Sequence, residues 1–302
     1  MFELTFLGTS ASVPSVERNQ PALLVAAAGQ RILVDCGEGT QRQLLKSGAG
    51  FRRLRQILLT HGHLDHILGL PGLLSTLGLQ QERDETLTIR GGPHTLQLVS
   101  ALLAALWGEG RAPVALELVP LRAGNVQPGT DFALHCFPVE HRGTDSFGFS
   151  FQSPARRHLR ADRLTELGVP DGPVRRQLAD GEAVRLADGR RIEPDDVLGS
   201  PTAGTKLVVV GDVAATAGLE AATRGADALV IEATFLDRDA AIARTHGHLT
   251  AAEAATLAAT AGVKRLILNH ISGRYPPEPI LAEAREIFPD TTIAADLDRI
   301  VI

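Results

Sequence analysis

Within six residues the chain places three imidazoles and a carboxylate: His61, His63, Asp65 and His66, in Thr60-His61-Gly62-His63-Leu64-Asp65-His66. Neutral ring nitrogens and carboxylate oxygens are the ligands that Zn2+ and similar borderline ions take. There are ten histidines in 302 residues, so this density is not the product of chance. The apolar run Ile57-Leu58-Leu59 comes directly before and reads as the end of a buried strand. A strand end is a rigid mount. On a still-extended segment His61 and His63 alternate and can aim at one point, while Asp65 and His66 turn back as the next element starts.

One cluster cannot fill two metal sites. Three further residues stand where apolar strands should end. His141 follows Phe132 to Pro138, Asp212 follows Lys206 to Val210, and His270 follows Leu266-Ile267-Leu268. Each has a plainer reading: a loop histidine, a turn carboxylate, a satisfied core histidine. If Asp212 is a ligand, its two oxygens could bridge two cations.

The elements that would carry these residues alternate between strand and helix texture. Phe2 to Leu7 reads as a strand, Leu23 to Val34 as a hairpin around Gly29-Gln30, and Ile57 to Thr60 as the strand before the cluster. Leu64 to Leu79 reads as one buried helix and Thr95 to Leu106 as another. Strands are expected at Thr86 to Arg90, Val114 to Val119, Asp131 to Pro138 and Ser146 to Ser153. After residue 204 come strands at Thr205 to Val210, Ala228 to Ile231 and Arg265 to Leu268, with helices at Leu249 to Ala261 and Pro279 to Phe288. Such an order fits an α/β (α+β) protein of two mixed sheets packed face to face, helices outside. The texture changes at Pro154. From there to Arg191 stand nine Arg against six Asp and Glu, in a chain of net charge −5, with weak apolar periodicity. This stretch reads as a basic excursion from the core. The plainer reading is a solvated loop.

Composition narrows the class. Hydrophobic content of 44% with 22% charged residues suits a sizeable core. Two cysteines, Cys36 and Cys136, make no disulfide framework and fit a reducing cytoplasm. No signal peptide and no membrane span are expected.

The pattern His-x-His-x-Asp-His resembles the metal signature of the metallo-β-lactamase superfamily, whose fold is an αββα sandwich. The resemblance implies that His61, His63 and His141 hold one metal, that Asp65, His66 and His270 hold a second, and that Asp212 bridges them. More specific motifs resemble the ribonuclease Z family, tRNA 3′-processing endonucleases. They are Phe6-Leu7-Gly8-Thr9-Ser10-Ala11-Ser12-Val13-Pro14 with Arg18-Asn19, Asp35 to Gln41, Gly69 to Leu74, and Asn269-His270-Ile271-Ser272-Gly273-Arg274-Tyr275. That resemblance runs nearly end to end. It implies one domain over 1–302 with an inserted arm at 154–203 that grips the tRNA body. The arm motifs are resembled by Gly172-Pro173 and Gly181-Glu182-Ala183-Val184, and the expected RNA contacts are Arg156, Arg157, Gly172, Pro173, Arg175 and Arg176. It further implies two Zn2+ per subunit, a homodimer, and precursor tRNA cut to leave a 3′-hydroxyl on the tRNA and a 5′-phosphate on the trailer. Asp65 would accept a proton from water, and Glu232 with His248 would deliver one to the leaving oxygen. His246 is the local rival to His248, and a helix cap is the plainer role for either.

The chain departs from the family pattern in three places. Val213 and Asn269 stand where Thr is usual, and the Pro14 to Asn19 loop lacks the usual Lys. Two rival functions remain: a small-molecule metallohydrolase (a phosphodiesterase or sulfatase) on the same site, and a catalytically silent RNA-binding protein.

Overall fold

A computed structural model describes residues 1–79, 86–127 and 131–302. The strands are β1 (Glu3–Gly8), β2 (Ala22–Ala27), β3 (Gln30–Val34), β4 (Leu54–Leu58), β5 (Leu87–Gly91), β6 (Leu116–Pro120), β7 (Gly124–Gln127), β8 (Ala133–Val139), β9 (Ser146–Gln152), β10 (Val184–Arg185), β11 (Arg191–Ile192), β12 (Lys206–Val209), β13 (Ala228–Glu232), β14 (Leu266–Asn269), β15 (Thr291–Ile293) and β16 (Arg299–Val301). Two seven-stranded sheets form, in the orders β16-β1-β2-β3-β4-β5-β6 and β15-β14-β13-β12-β9-β8-β7. Each is parallel on one side and antiparallel on the other, with the change of direction at β3 and at β12.

Period-two alternation sorts the side chains into three cores. Phe6, Val25, Val34, Leu58, Phe149, Phe151, Val209, Val230 and Ile267 fill the space between the sheets. Their neighbours Leu24, Leu33 and Ile57 face outward under the helices Leu70–Gly78 and Pro93–Trp107. Val208, Leu229, Ile231, Leu266 and Leu268 do the same under the helices Ala251–Ala261 and Pro277–Ile287. The layering is helix, sheet, sheet, helix, as the sequence implies.

Details differ from the expectation. The single helix at Leu64 to Leu79 is two, Leu64–Ile67 and Leu70–Gly78. Between them Gly69 donates its N–H to the Cys36 carbonyl. A Cβ on Gly69 would lie 2.0 Å from the Gly37 carbonyl oxygen, so backbone packs on backbone here and the helical path breaks. The hairpin turns at Ala28-Gly29, one residue earlier than expected, with both at positive φ as a two-residue turn requires. β7 was not legible: Gly124-Asn125-Val126-Gln127 shows no apolar alternation.

Residues 153–204 form a compact unit apart from the remaining chain. The unit holds three short helices (Ala161–Glu166, Pro173–Ala179 and Pro194–Val197), the β10–β11 hairpin, and an apolar cluster of its own around Leu164, Val169, Leu178, Ile192 and Val197. Gly172, at φ 113, precedes the second helix and Pro173 opens it. The description of the arm as basic needs correction. Over 154–203 the nine Arg meet nine Asp and Glu, because Glu193, Asp195 and Asp196 lie beyond the window that looked basic. Seven of those Arg make ion pairs inside the unit, such as Arg157 with Asp195 and Arg175 with Asp171.

The unit is spliced between neighbours. Gln152 at the end of β9 is the antiparallel register partner of Lys206 at the start of β12. A two-residue turn closes such a pair. Replacing residues 153–205 by Asn-Gly should therefore leave a folded two-sheet protein. The check is a single cooperative melt and unchanged far-ultraviolet dichroism of the strands.

Candidate metal centre

All the sequence-predicted site residues of the two-sheet unit converge where strands end. His61 to His66 follow β4, His141 follows β8, Asp212 follows β12, Glu232 ends β13 and His270 follows β14. The carboxyl ends of parallel strands are the usual site of a crevice in such sheets. The two sheets approach closely here. A Cβ on Gly211 would lie 2.8 Å from the Thr60 hydroxyl, so only glycine lets Asp212 reach the cluster. Phe147 N–H also donates across to the Thr60 carbonyl at 2.8 Å.

Two donor groups form, sharing Asp212. In the first, His61 Nε2 is 2.9 Å from His63 Nδ1, and His141 Nε2 is 3.2 Å from the same atom. Asp212 Oδ2 stands 3.7 and 3.8 Å from His61 and His141. In the second, His66 Nε2 and His270 Nε2 each lie 3.6 Å from Asp65 Oδ2, and 3.4 and 3.2 Å from Asp212 Oδ1. Such spacings suit ligands around a common ion about 2 Å from each. Among the described residues, His66 Nε2, His270 Nε2 and Asp212 Oδ1 are buried with no hydrogen-bond partner. Leaving three such atoms unpaired costs about 1–3 kcal/mol each. A cation would satisfy all three at once, so this donor set fits a metal.

The opposite ring nitrogens are pinned. His61 Nδ1 meets Thr60 Oγ1 at 3.0 Å, His66 Nδ1 meets Asp35 at 2.8 Å, His141 Nδ1 meets the Gly247 carbonyl at 2.8 Å and His270 Nδ1 meets Thr234 Oγ1 at 3.0 Å. These contacts fix the rings' orientation and tautomers. Burial and the neighbouring His66 push the pKa of His61 well down, and burial lowers those of His63 and His141. Those three rings are therefore neutral and ready to ligate. Burial would raise the Asp212 carboxyl, but the facing His270 and His66 hold it well below the usual range. Burial would likewise lower His66, but Asp212 and Asp35 raise it well above its ordinary value, a pull that a cation on Nε2 would replace.

Beside these donor groups Glu232 and His248 form a buried pair. Glu232 Oε1 meets His248 Nδ1 at 2.9 Å and also accepts the Val213 N–H. Glu232 Oε2 accepts from the Thr234 hydroxyl and the Leu249 N–H. Burial would lower His248, yet the charge and hydrogen bond of Glu232 raise its pKa to about 9. His246, the rival, is exposed and stacks on Phe235. The capping role belongs to neither histidine, because Thr250 and Glu253 cap the helix Ala251–Ala261 reciprocally. The departure at Val213 is harmless to this pair, since its backbone makes the bond. At Asn269 the side-chain oxygen is left buried and unpartnered.

Two residues were missed as contributors. Asp35 takes the Thr60 N–H and hydroxyl, both at 2.8 Å, as well as His66, from a left-handed backbone at φ 59. Its place just after β3 was the available signal. Asp145 accepts the His94 and Thr95 N–H groups at the start of the helix Pro93–Trp107, docking the His141 loop there. Nothing local in the sequence announces that contact.

Family comparison agrees with this geometry. The chain is 66% identical to ribonuclease Z of Bradyrhizobium diazoefficiens over 302 residues, all of both chains. It is 41% identical to ribonuclease Z of Archaeoglobus fulgidus over 300 residues, 98% of this chain and 96% of that one. The chain belongs to the ribonuclease Z family. As such it is an endoribonuclease, an enzyme and not a silent binder. The beta-lactamase superfamily domain model matches residues 168–271, and that of anti-Pycsar protein Apyc1 matches residues 2–155. The crystal structure of human tRNase Z, short form, superposes with a TM-score of 0.67 at 27% identity over 99% of each chain. The metallo-β-lactamase fold protein YhfI of Bacillus subtilis gives 0.71 at 17% identity over 99% and 98% of the chains, a likeness of fold alone. Among the described residues no helix is long and apolar enough to cross a membrane.

Losing an outer partner of a metal-bound ring typically weakens metal affinity 10–100-fold. Asp35→Asn should behave so, by roughly tenfold or more, in competition titrations against a chromophoric chelator. Wild-type affinity in that variant would show that the Asp35 contact does not orient His66.

Proposed function

We propose that this ribonuclease Z family member is a zinc enzyme that removes the 3′ trailer from precursor tRNA in the cytoplasm, as a homodimer. The observation that carries the reading is the convergence of buried, unpartnered donor atoms on His66, His270 and Asp212 beside the Glu232–His248 pair. It is supported by the relatives named ribonuclease Z and by the likeness to human tRNase Z.

His61, His63, His141 and Asp212 would hold one ion, and Asp65, His66, His270 and Asp212 the other. Two such ions supply Lewis acidity and lower the pKa of water toward ~7. The chain's own residues do the remaining work. Asp65 would take the proton of the attacking water, and its Oδ2 accepts the Ser12 N–H at 3.1 Å. His248 has Nδ1 committed to Glu232, so Nε2 is the nitrogen left to carry a proton. As water adds to phosphorus and the P–O3′ bond breaks, that proton passes to O3′. The tRNA leaves with a 3′-hydroxyl and the trailer with a 5′-phosphate. The glutamate keeps the ring charged until the proton is needed.

The compact unit at 153–204 is the proposed tRNA grip. Arg176 is largely exposed, and Arg156 and Arg176 are the better phosphate partners. Arg157 and Arg175 also bond the unit's own carbonyls, at Gly199, Leu198 and Val169, so their first task is its folding. Gly172 and Pro173 shape the short helix that carries Arg175 and Arg176.

Two experiments test the reading. Metal-loaded enzyme should release a single trailer from precursor tRNA, and chelator should abolish this. Asp65→Ala should lose several orders of magnitude of kcat, and full trailer cleavage by that variant would sink the mechanism. Separately, the Asn-Gly replacement of the arm should depress kcat/KM on precursor tRNA by at least ~100-fold while hydrolysis of a small phosphodiester persists. Equal loss on both substrates would favour a small-molecule hydrolase.

A further inference from the structure

We propose that Asp296 is a positioning residue that sets which phosphodiester is cut, by clamping both ends of the loop between Thr9 and Asn19. This inference rests on the ribonuclease reading and names a control over the same site.

The loop reaches the reacting centre directly. Its Ser12 N–H donates to Asp65 Oδ2 at 3.1 Å. Ser12, Pro14 and Ser15 line a cavity of about 420 Å³, together with Arg142, His248 and Arg274. An RNA strand leaving the centre past His248 would enter this cavity, with the loop as one of its walls. The loop's own tip offers little to fix it, since Val13, Pro14 and Val16 are exposed. Its internal order includes a small turn, in which Ser15 Oγ accepts the Glu17 and Arg18 N–H groups and the Ser15 N–H donates to the Arg18 carbonyl, and the Ser10 hydroxyl on the Val13 carbonyl at 2.6 Å.

Its stem is closed by the Ser10 N–H on the Asn19 carbonyl at 2.9 Å and is tied down further from elsewhere. Asp296 Oδ1 accepts the Thr9 hydroxyl at 2.8 Å, and Oδ2 accepts the Asn19 N–H at 2.8 Å and Gln43 Nε2 at 2.7 Å. One carboxylate thus joins the residue before the loop to the residue that ends it. Arg18 seals the same junction, donating to Thr9 Oγ1 at 2.6 Å and to the Ala294 carbonyl at 2.7 Å. The turn that aims Asp296 is itself constrained. Leu297 sits at φ 71, a left-handed conformation that a branched side chain adopts at a cost. Its N–H donates to the Phe6 carbonyl at 2.6 Å, and the Phe6 N–H donates to the Asp298 carbonyl at 3.0 Å. The C-terminal turn is therefore fastened to β1 just before the loop departs. Such a strained turn fits a need to place one carboxylate, not to fill space.

The clamp also accounts for motif residues that hold no metal: Thr9 and Asn19 both bond Asp296, and Arg18 bonds Thr9. A displacement of the wall by about 1 Å shifts the phosphate presented to the centre and can cost up to ~100-fold in rate. The centre itself has no bond to Asp296, so its intrinsic chemistry should survive.

The test compares wild type, Asp296→Asn and Thr9→Val, all metal-loaded. Asp296→Asn turns an acceptor into a donor or leaves a donor unmatched, and Thr9→Val removes one end of the clamp at constant shape. Three quantities are measured: cleavage positions on end-labelled precursor tRNA, kcat/KM on that RNA, and turnover of bis(4-nitrophenyl) phosphate with bound metal counted. Both variants should keep metal and small-ester turnover within about twofold of wild type. On RNA they should lose roughly tenfold in kcat/KM and scatter cuts over neighbouring phosphates. Retention of one wild-type cut at wild-type kcat/KM in both variants overturns the inference alone. Equal losses on ester and RNA overturn it too, because they mark a general weakening of the centre. A wild type that cuts no precursor overturns the ribonuclease reading beneath it.

Discussion

Everything at the centre answers to one buried carboxylate. Asp212 is nearly sealed from solvent, yet its two oxygens face nitrogens of His61, His66, His141 and His270. A charge so placed is costly unless cations or rings on cations surround it. The protein answers with two sheets whose strand ends meet at Gly211 and Thr60, bringing donors from distant parts of the sequence to the same carboxylate. The outer hydrogen bonds from Asp35, Thr60, Gly247 and Thr234 then leave the rings little choice of direction. Stability and chemistry are joined there, because the donor set that fits a metal is also the seam between the sheets.

Much of this was legible in the chain, for physical reasons. His61 to His66 announced themselves because a tight turn can collect four donors only by writing them next to each other. His141, Asp212 and His270 each followed an apolar run, and a run of buried strand residues ends where the crevice opens. Family motifs supplied what spacing could not, namely which of several strand-end histidines and carboxylates would meet. The layered fold followed from alternation, which recurs in β1 to β4 and β12 to β14.

Other parts were not legible. Asp145 and Asp296 act across 51 and 277 residues, on His94 and on Asn19, and a contact at that range leaves no periodic trace. The break at Gly69 came from a backbone contact with Gly37, invisible to a pattern of side-chain polarity. The arm misled in a different way. The stretch to Arg191 reads as basic only because Glu193, Asp195 and Asp196 lie just beyond it, and sequence alone does not show that most of its Arg are paired. Those pairs are easily given up, since exposed pairs of this kind are worth only about 0–1 kcal/mol.

The place where the arm is spliced has a further consequence. Gln152 and Lys206 would sit opposite each other whether two residues or fifty joined them. The sheet does not register what is threaded through that gap. The inserted unit can then be lengthened, shortened or exchanged for another module without altering that register. In this protein the inserted unit and the sheets that carry the centre are free to be edited separately.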